Sequence, residues 1–176
     1  ESAIQGSIVV PPRTGPRHAL SFGEHLYVLG ELSGCLHQFT WWGEGWELAH
    51  STAPVSENPW CAAIHLRPDS NLLFVSERNG SSLYSFRLDP ETGGPRPESV
   101  IESPAQTPRD FGFSPDGEWL LVLGQDSSSI AAHRWSESEQ TYEANPSRVV
   151  PCGTPVCVRF DLSYSFESIH LERNSE

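Results

Sequence analysis

The 176-residue sequence contains no methionine and no lysine; all 11 of its basic residues are arginine. The missing lysine excludes Schiff-base and lysine general-base chemistry. The missing methionine includes the first position, so a processed, truncated or otherwise partial chain is expected. Cysteine is scarce: Cys35, Cys61, Cys152 and Cys157 fit neither a CxxC pair nor a zinc-finger spacing. Buried free thiols in a cytoplasmic protein are the expectation, rather than a disulfide framework. No apolar run is long enough for a membrane span or for the core of a signal peptide, so no membrane partner is expected. Positive charge is outweighed, with a net charge of −12 and a pI near 4.9. That balance repels phosphate backbones and argues against nucleic-acid binding. No stretch carries a sustained helical period with caps. There is no GxSxG nucleophile elbow and no phosphate loop, and the pair Cys152/Cys157 has no His or carboxylate pattern beside it to suggest a metal.

What the sequence does contain is 15 prolines, 14 glycines and 10% aromatics within a 37% hydrophobic chain. This suits many short strands joined by tight turns. The strands repeat. YVLGELSGCLHQF (27–39), FVSERNGSSLYSF (74–86) and LVLGQDSSSIAAH (121–133) align without a gap. Val28, Val75 and Val122 are equivalent, as are Leu36, Leu83 and Ile130, at a spacing of 47 residues (75 − 28 and 122 − 75). Within this apolar frame one polar position changes: Glu31, Arg78, Gln125. In each copy a short strand and a turn precede the apolar strand, and a third strand, a loop and an outer strand follow. Pro68-Asp69-Ser70-Asn71 and Ser114-Pro115-Asp116-Gly117 are turn signals, and Asn79-Gly80 is a hairpin signal.

A four-stranded repeat in the mid-forties is the signature of a β-propeller blade. The expected fold is therefore all-β, with four-stranded antiparallel blades at about 16–57, 58–104 and 105–150. Residues 3–12 are expected to be the outer strand of a preceding blade, and 154–160 the first strand of a closing one. The tail 161–176 either closes the ring or diverges from it. A blade buries both faces against neighbours. Three blades alone would leave two faces bare, each well beyond the ~300–600 Å² patch of an ordinary monomer. Hence the chain is expected to be three to four blades of a seven-bladed ring, with the remaining blades on another or missing chain segment.

The motifs GPRHALSF, HLYVLGELSG, IHLRPDSNLLFVSERNGSSLYSFRLDPETG, TPRDFGFSPDGEWLLVLGQDSSSIAAHRW and GTPVCVRF resemble the lactonase-type seven-bladed propeller family, over about residues 15–160. That family includes the propeller 6-phosphogluconolactonases and the fungal 3-carboxy-cis,cis-muconate cyclases. The resemblance implies roughly the C-terminal half of such a protein, with its site in the central cleft at one face of the ring. In the cyclases an Arg before a His, a Glu ending the next strand and an Arg at the matching end of the following blade form much of the proposed site. The matching residues are Arg17, His18, Glu31 and Arg78. This chain departs from the family at Gly30, Glu77 and Gly124, where Asn is usual, and at Asp110, which stands in place of His in a third PRH-like motif.

The inner strands of a propeller converge on its axis, so Arg17, Arg78 and Arg109 could ring a polyanion; planar guanidinium groups grip carboxylate or phosphate in bidentate fashion. Glu31 beside them would stay ionised, suited to orientation or to proton abstraction from a strong acid. His18 or His65 suits proton transfer near neutrality. Gln125 could hydrogen-bond substrate or a neighbouring blade, and Glu31 with Arg78 could equally be a structural ion pair between blades. The resulting expectation has Glu31, His18 and Arg78 as catalytic residues. Arg17, His65, Arg109 and Gln125 would bind a small anionic substrate, a sugar lactone or a muconate, without cofactor or metal. Three functions remain open: 6-phosphogluconolactonase-like hydrolysis, muconate lactonisation, and an inactive propeller acting as a protein-interaction scaffold.

Overall fold

The computed structural model describes residues 7–160. Within them the chain forms only strands and turns, with three consecutive antiparallel sheets stacked in chain order. The first sheet is β1 (Pro16–Phe22), β2 (His25–Gly30), β3 (Leu36–Trp41) and β4 (Trp46–Ser51). The second is β5 (Cys61–Leu66), β6 (Leu72–Glu77), β7 (Ser82–Leu88) and β8 (Pro95–Glu102). The third is β9 (Pro108–Phe113), β10 (Trp119–Gly124) and β11 (Ser129–Ser136) with a divided outer strand. Its pieces, β12 (Thr141–Tyr142) and β13 (Arg148–Pro151), pair with opposite ends of β11. The fold is the all-β blade stack that the repeat predicts. The strands β2, β6 and β10 begin 47 residues apart (72 − 25 and 119 − 72). The first strands of the three sheets lie side by side, β5 between β1 and β9.

Residue alternation builds the packing. Successive side chains of a strand point to opposite faces. On β6, Leu73 and Val75 pack toward the first sheet with Tyr27, Leu29, Leu36 and Ile64. The intervening Leu72 and Phe74 pack toward the third sheet with Phe111, Phe113, Leu120, Val122 and Tyr142. Every residue of β6 is buried, because it is sandwiched on both sides; β1 and β4, the edge strands of the first sheet, are mostly exposed. Phe22 and Leu48 are exposed on the first sheet, as is Val149 on the third.

The turns obey the repeat less literally than the strands. The β6–β7 hairpin is a four-residue loop rather than a two-residue Asn-Gly turn. Its left-handed residue is Ser81 (φ 52°), matched by Gly34 (φ 66°) and Ser128 (φ 47°) in the other two sheets. Asn79 and Gly80 thus lie one step too early to be the pivot. Beside this loop, bulk moves between two positions. A Cβ on Gly30 would sit 2.2 Å from Ser33 Oγ, and one on Gly124 would sit 2.2 Å from Ser127 Oγ. In the second sheet Glu77 replaces the first glycine and Gly80 replaces the serine. The Glu77 carboxylate is buried there and accepts hydrogen bonds from the backbone N–H groups of Trp60 (2.9 Å), Asn79 (2.9 Å) and Gly80 (2.6 Å).

Two expected flanking strands are not formed among the described residues. Residues 7–12 run without a ladder. Pro11 and Pro12 have no N–H to donate to one, and Thr14 Oγ1 donates to Pro11 O at 2.7 Å instead. Residues 3–6 lie outside the described residues. Segment 154–160 also carries no ladder. It runs past the third sheet's first strand, where Val158 N–H donates to Asp110 Oδ2 at 3.1 Å. Neighbouring blades meet through side chains rather than ladders, so a first strand shows as one only beside its own second strand. The tail 161–176 lies outside the described residues.

Two histidines are buried between strands. His133 lies between Glu143 O (2.9 Å) and Ser103 Oγ (3.3 Å). His37 Nε2 contacts Thr14 Oγ1 at 3.1 Å; because that hydroxyl already donates to Pro11 O, His37 Nε2 carries the proton, and Nδ1 accepts from Ser51 Oγ at 2.8 Å. Burial lowers the pKa of both below 6.5; for His133 the Glu143 carbonyl opposes it only in part. The unfolded chain therefore takes up protons below pH 6.5 that the folded chain refuses. Stability is expected to be flat above that pH and to fall below it, by up to ~1.4 kcal/mol per pH unit for each histidine until its folded pKa is reached. Urea denaturation between pH 7.5 and 5 checks this, and His133→Gln should flatten the slope.

Candidate functional site

The changing polar position is held by a repeated backbone bond. The N–H groups of Glu31, Arg78 and Gln125 donate to the carbonyls of Gly15 (2.8 Å), Trp60 (3.1 Å) and Thr107 (3.2 Å). Each carbonyl lies just before the first strand of its sheet, so three different side chains leave the same end of the stack from equivalent points.

Two of these side chains meet. The Arg78 guanidinium, almost wholly buried, pairs with Glu31 across the boundary between the first and second sheets. It also donates from Nε to Trp60 O (3.1 Å) and from Nη2 to Cys61 O (3.2 Å), and its central carbon sits over the Trp60 ring, 3.7 Å from the centroid. Trp60 Nε1 donates to Glu31 Oε1 at 3.0 Å. Arg17 approaches Glu31 Oε2 to 3.8 Å and is steadied by Nε donating to Ala62 O at 2.9 Å. Burial alone would raise the Glu31 pKa, but the hydrogen bond and charge of Arg78, with Arg17 and Trp60, hold it below the ordinary carboxylate range. Glu31 thus carries a full negative charge between two guanidinium groups. The three arginines gather, with the charges of Arg17 and Arg109 both acting on Arg78, but a carboxylate and carbonyls share the space between them. Arg78 is engaged by Glu31 and two carbonyls, and Arg109 reaches Gln125 Oε1 at 3.5 Å.

A second polar group lies further along the first strands. The register pairs His18 with Leu29 and Asp110 with Leu123, making Ala63 the corresponding residue of the second sheet. His65, two places on, corresponds instead to Leu20 and Gly112. His65 Nε2 meets Asp110 Oδ1 at 2.9 Å across the second and third sheets, and Arg159 Nη1 meets Asp110 Oδ2 at 3.3 Å. Burial, followed by the charge of Arg17, lowers the His18 pKa, with Asp110 opposing. His18 is therefore neutral at pH 7.

All seven predicted site residues fall on or at the ends of the strands where the three sheets converge. They divide into Arg17/Glu31/Arg78, Arg109/Gln125, and His65, with His18 near Arg17 and Asp110. Sequence reasoning missed Trp60 and Arg159, and it saw Asp110 only as a departure from a motif. A signal for Trp60 exists: the positions before the first strands read Gly15, Trp60, Thr107, and a large aromatic stands out there. Among the described residues, no His, Cys and carboxylate cluster could hold a metal.

Stacked four-stranded sheets whose inner edges gather non-identical polar side chains define a β-propeller. The family model described as Lactonase, 7-bladed beta-propeller matches residues 2–160. The chain belongs to this family. It is 26% identical over 165 residues to a 6-phosphogluconolactonase of Formosa agariphila, covering 90% of this chain and 47% of the relative. To a 6-phosphogluconolactonase of Bacillus subtilis it is 27% identical, covering 88% and 46%. Among solved structures, the periplasmic gluconolactonase of Pseudomonas aeruginosa superposes with a TM-score of 0.79 at 26% identity, covering 86% of this chain and 44% of that one. The chain spans about half the length of the curated relatives it matches.

Proposed function

We propose that this chain contributes half of the central cleft of a cofactor-independent sugar-lactone hydrolase that takes small anionic lactones of the 6-phosphogluconolactone type. The observation that carries the reading is the Arg17–Glu31–Arg78 group at the shared end of two sheets. Two guanidinium groups around a single carboxylate leave a net positive charge in a protein of net charge −12, whose outer surface would repel an anionic ligand. Arg78 is fixed by Trp60 and two carbonyls, and Glu31 holds Arg17 toward the same point. The outer N–H groups of Arg17 would hold the anionic tail of the lactone. The names carried by the relatives support the lactone class. The four free thiols support a reducing, cytoplasmic compartment for the proposed enzyme.

The test is initial-rate hydrolysis of 6-phosphoglucono-δ-lactone and glucono-δ-lactone by the full-length protein. Turnover above the spontaneous rate is expected, with preference for the phosphorylated lactone. Glu31→Gln, which keeps the shape and removes the charge holding Arg17, is expected to lower kcat/KM roughly 100-fold. Spontaneous rates only, with either lactone and folded protein, would sink the reading.

A further inference from the structure

His65 and Asp110 come from different sheets, and neither residue belongs to the repeated frame. The places equivalent to His65 hold Leu20 and Gly112; those equivalent to Asp110 hold His18 and Ala63. Two independent departures from one template meet at 2.9 Å.

The geometry of the pair is specific. A carboxylate only accepts hydrogen bonds, so His65 Nε2 is the protonated nitrogen and Nδ1 presents a lone pair. Burial would raise the Asp110 pKa, but the His65 hydrogen bond and the Val158 N–H keep it below the ordinary range, so the carboxylate stays charged. The Phe111 ring, centred 4.8 Å away and at 88°, packs against the imidazole in a T-shaped contact. The ring is not sealed in: its side chain is 29% exposed, against 7% for Asp110. It borders a cleft of about 220 Å³ walled by Phe111, Phe113, Val158 and Phe160, with Arg159 at its side. The charged and titratable groups around the ring are Asp110 from β9, His18 from β1, and Arg159 from the segment after the third sheet.

We propose that His65 is the proton acceptor for the attacking water and that Asp110 is its positioning residue; this rests on the lactone-hydrolase reading above. Water adds to the acyl carbon of the lactone and gives one proton to His65 Nδ1. The acyl–oxygen bond of the ring then breaks, and the imidazolium returns that proton to the departing ring oxygen, which becomes the hydroxyl of the hydroxy acid. Asp110 fixes the tautomer and stabilises the imidazolium. Arg159 ties the other carboxylate oxygen and keeps Asp110 from turning away.

The experiment is the pH–rate profile of 6-phosphoglucono-δ-lactone hydrolysis by the full-length protein and two variants, with folding checked by circular dichroism. His65→Gln is expected to lower kcat about 100-fold or more with little change in KM, and to erase the acid limb of the profile. Asp110→Asn keeps the shape but removes the charge. It is expected to lower kcat about tenfold with little change in KM, because the imidazole loses the partner that orients it and stabilises the imidazolium formed during reaction. Variants that hydrolyse at the parent rate with the parent profile would show an ion pair that only joins the sheets, and would overturn the inference while the lactonase reading stands. Lower kcat with the acid limb intact in His65→Gln would also overturn it. A parent protein without turnover would overturn both, which separates the two failures.

Discussion

Arg78→Ala is expected to destabilise the full-length protein by about 3 kcal/mol and to lower kcat/KM for the lactone by ~100-fold or more. The side chain is almost wholly buried, so its removal takes the side-chain donor from Cys61 O, leaves Trp60 O only the backbone N–H of residue 78, and bares the face of Trp60. Glu31 is a quarter exposed and can regain water, which keeps the loss at the lower end of the range for a broken buried ion pair. Arg78→Lys retains the charge but neither the planar fork nor the guanidinium contact with the indole, so it should fall between parent and alanine in both measurements. Urea denaturation and initial rates read the two effects separately. An unchanged denaturation midpoint for Arg78→Ala would mean that the guanidinium does not join the sheets.

The largest loss of stability is expected at Phe74→Ala, about 4 kcal/mol. Phe74 stands in the middle of the doubly covered strand β6, with Phe113 at 5.2 Å and Tyr142 at 5.8 Å between ring centres. Phe113 also stacks on Tyr142 at 5.7 Å, so the three rings close the space between the second and third sheets. Neither sheet can collapse into the hole, because Tyr142 is anchored by its hydroxyl to Gly117 O at 2.7 Å and β6 is hydrogen-bonded on both edges. The expected observation is a lower urea midpoint with an unchanged slope. A loss below about 1 kcal/mol would mean that this junction repacks freely.

The frame of the fold was legible because apolar spacing survives divergence. Val28, Val75 and Val122 occupy matched strands, and so do Leu36, Leu83 and Ile130. The turns were harder. Asn79-Gly80 suggested a short hairpin, while the pivot lies at Ser81, a residue whose type does not announce a left-handed backbone. The flanking strands were read from composition. Strand character depends on a pairing partner, which 7–12 and 154–160 do not have among the described residues. At the site, the junction of Arg78 with Glu31 could be anticipated, since both occupy one repeated position. Trp60 was hidden because a lone aromatic resembles packing. The meeting of His65 with Asp110 was hidden by the first sheet's shorter turn, which makes His18 and His65 look equivalent by spacing although their registers differ by two places. Contacts made across sheets, 45 residues apart in sequence, leave no local pattern to read.

The transfer of bulk between Gly30/Ser33 and Glu77/Gly80 constrains how one such hairpin could have evolved from the other. Placing glutamate opposite a retained serine crowds the carboxylate, since a Cβ on Gly80 would sit 3.0 Å from Glu77 Oε2. Losing the serine first leaves only a void that water can enter. A hairpin therefore crosses between the two arrangements more easily in one order of substitutions than in the other, by way of a double glycine.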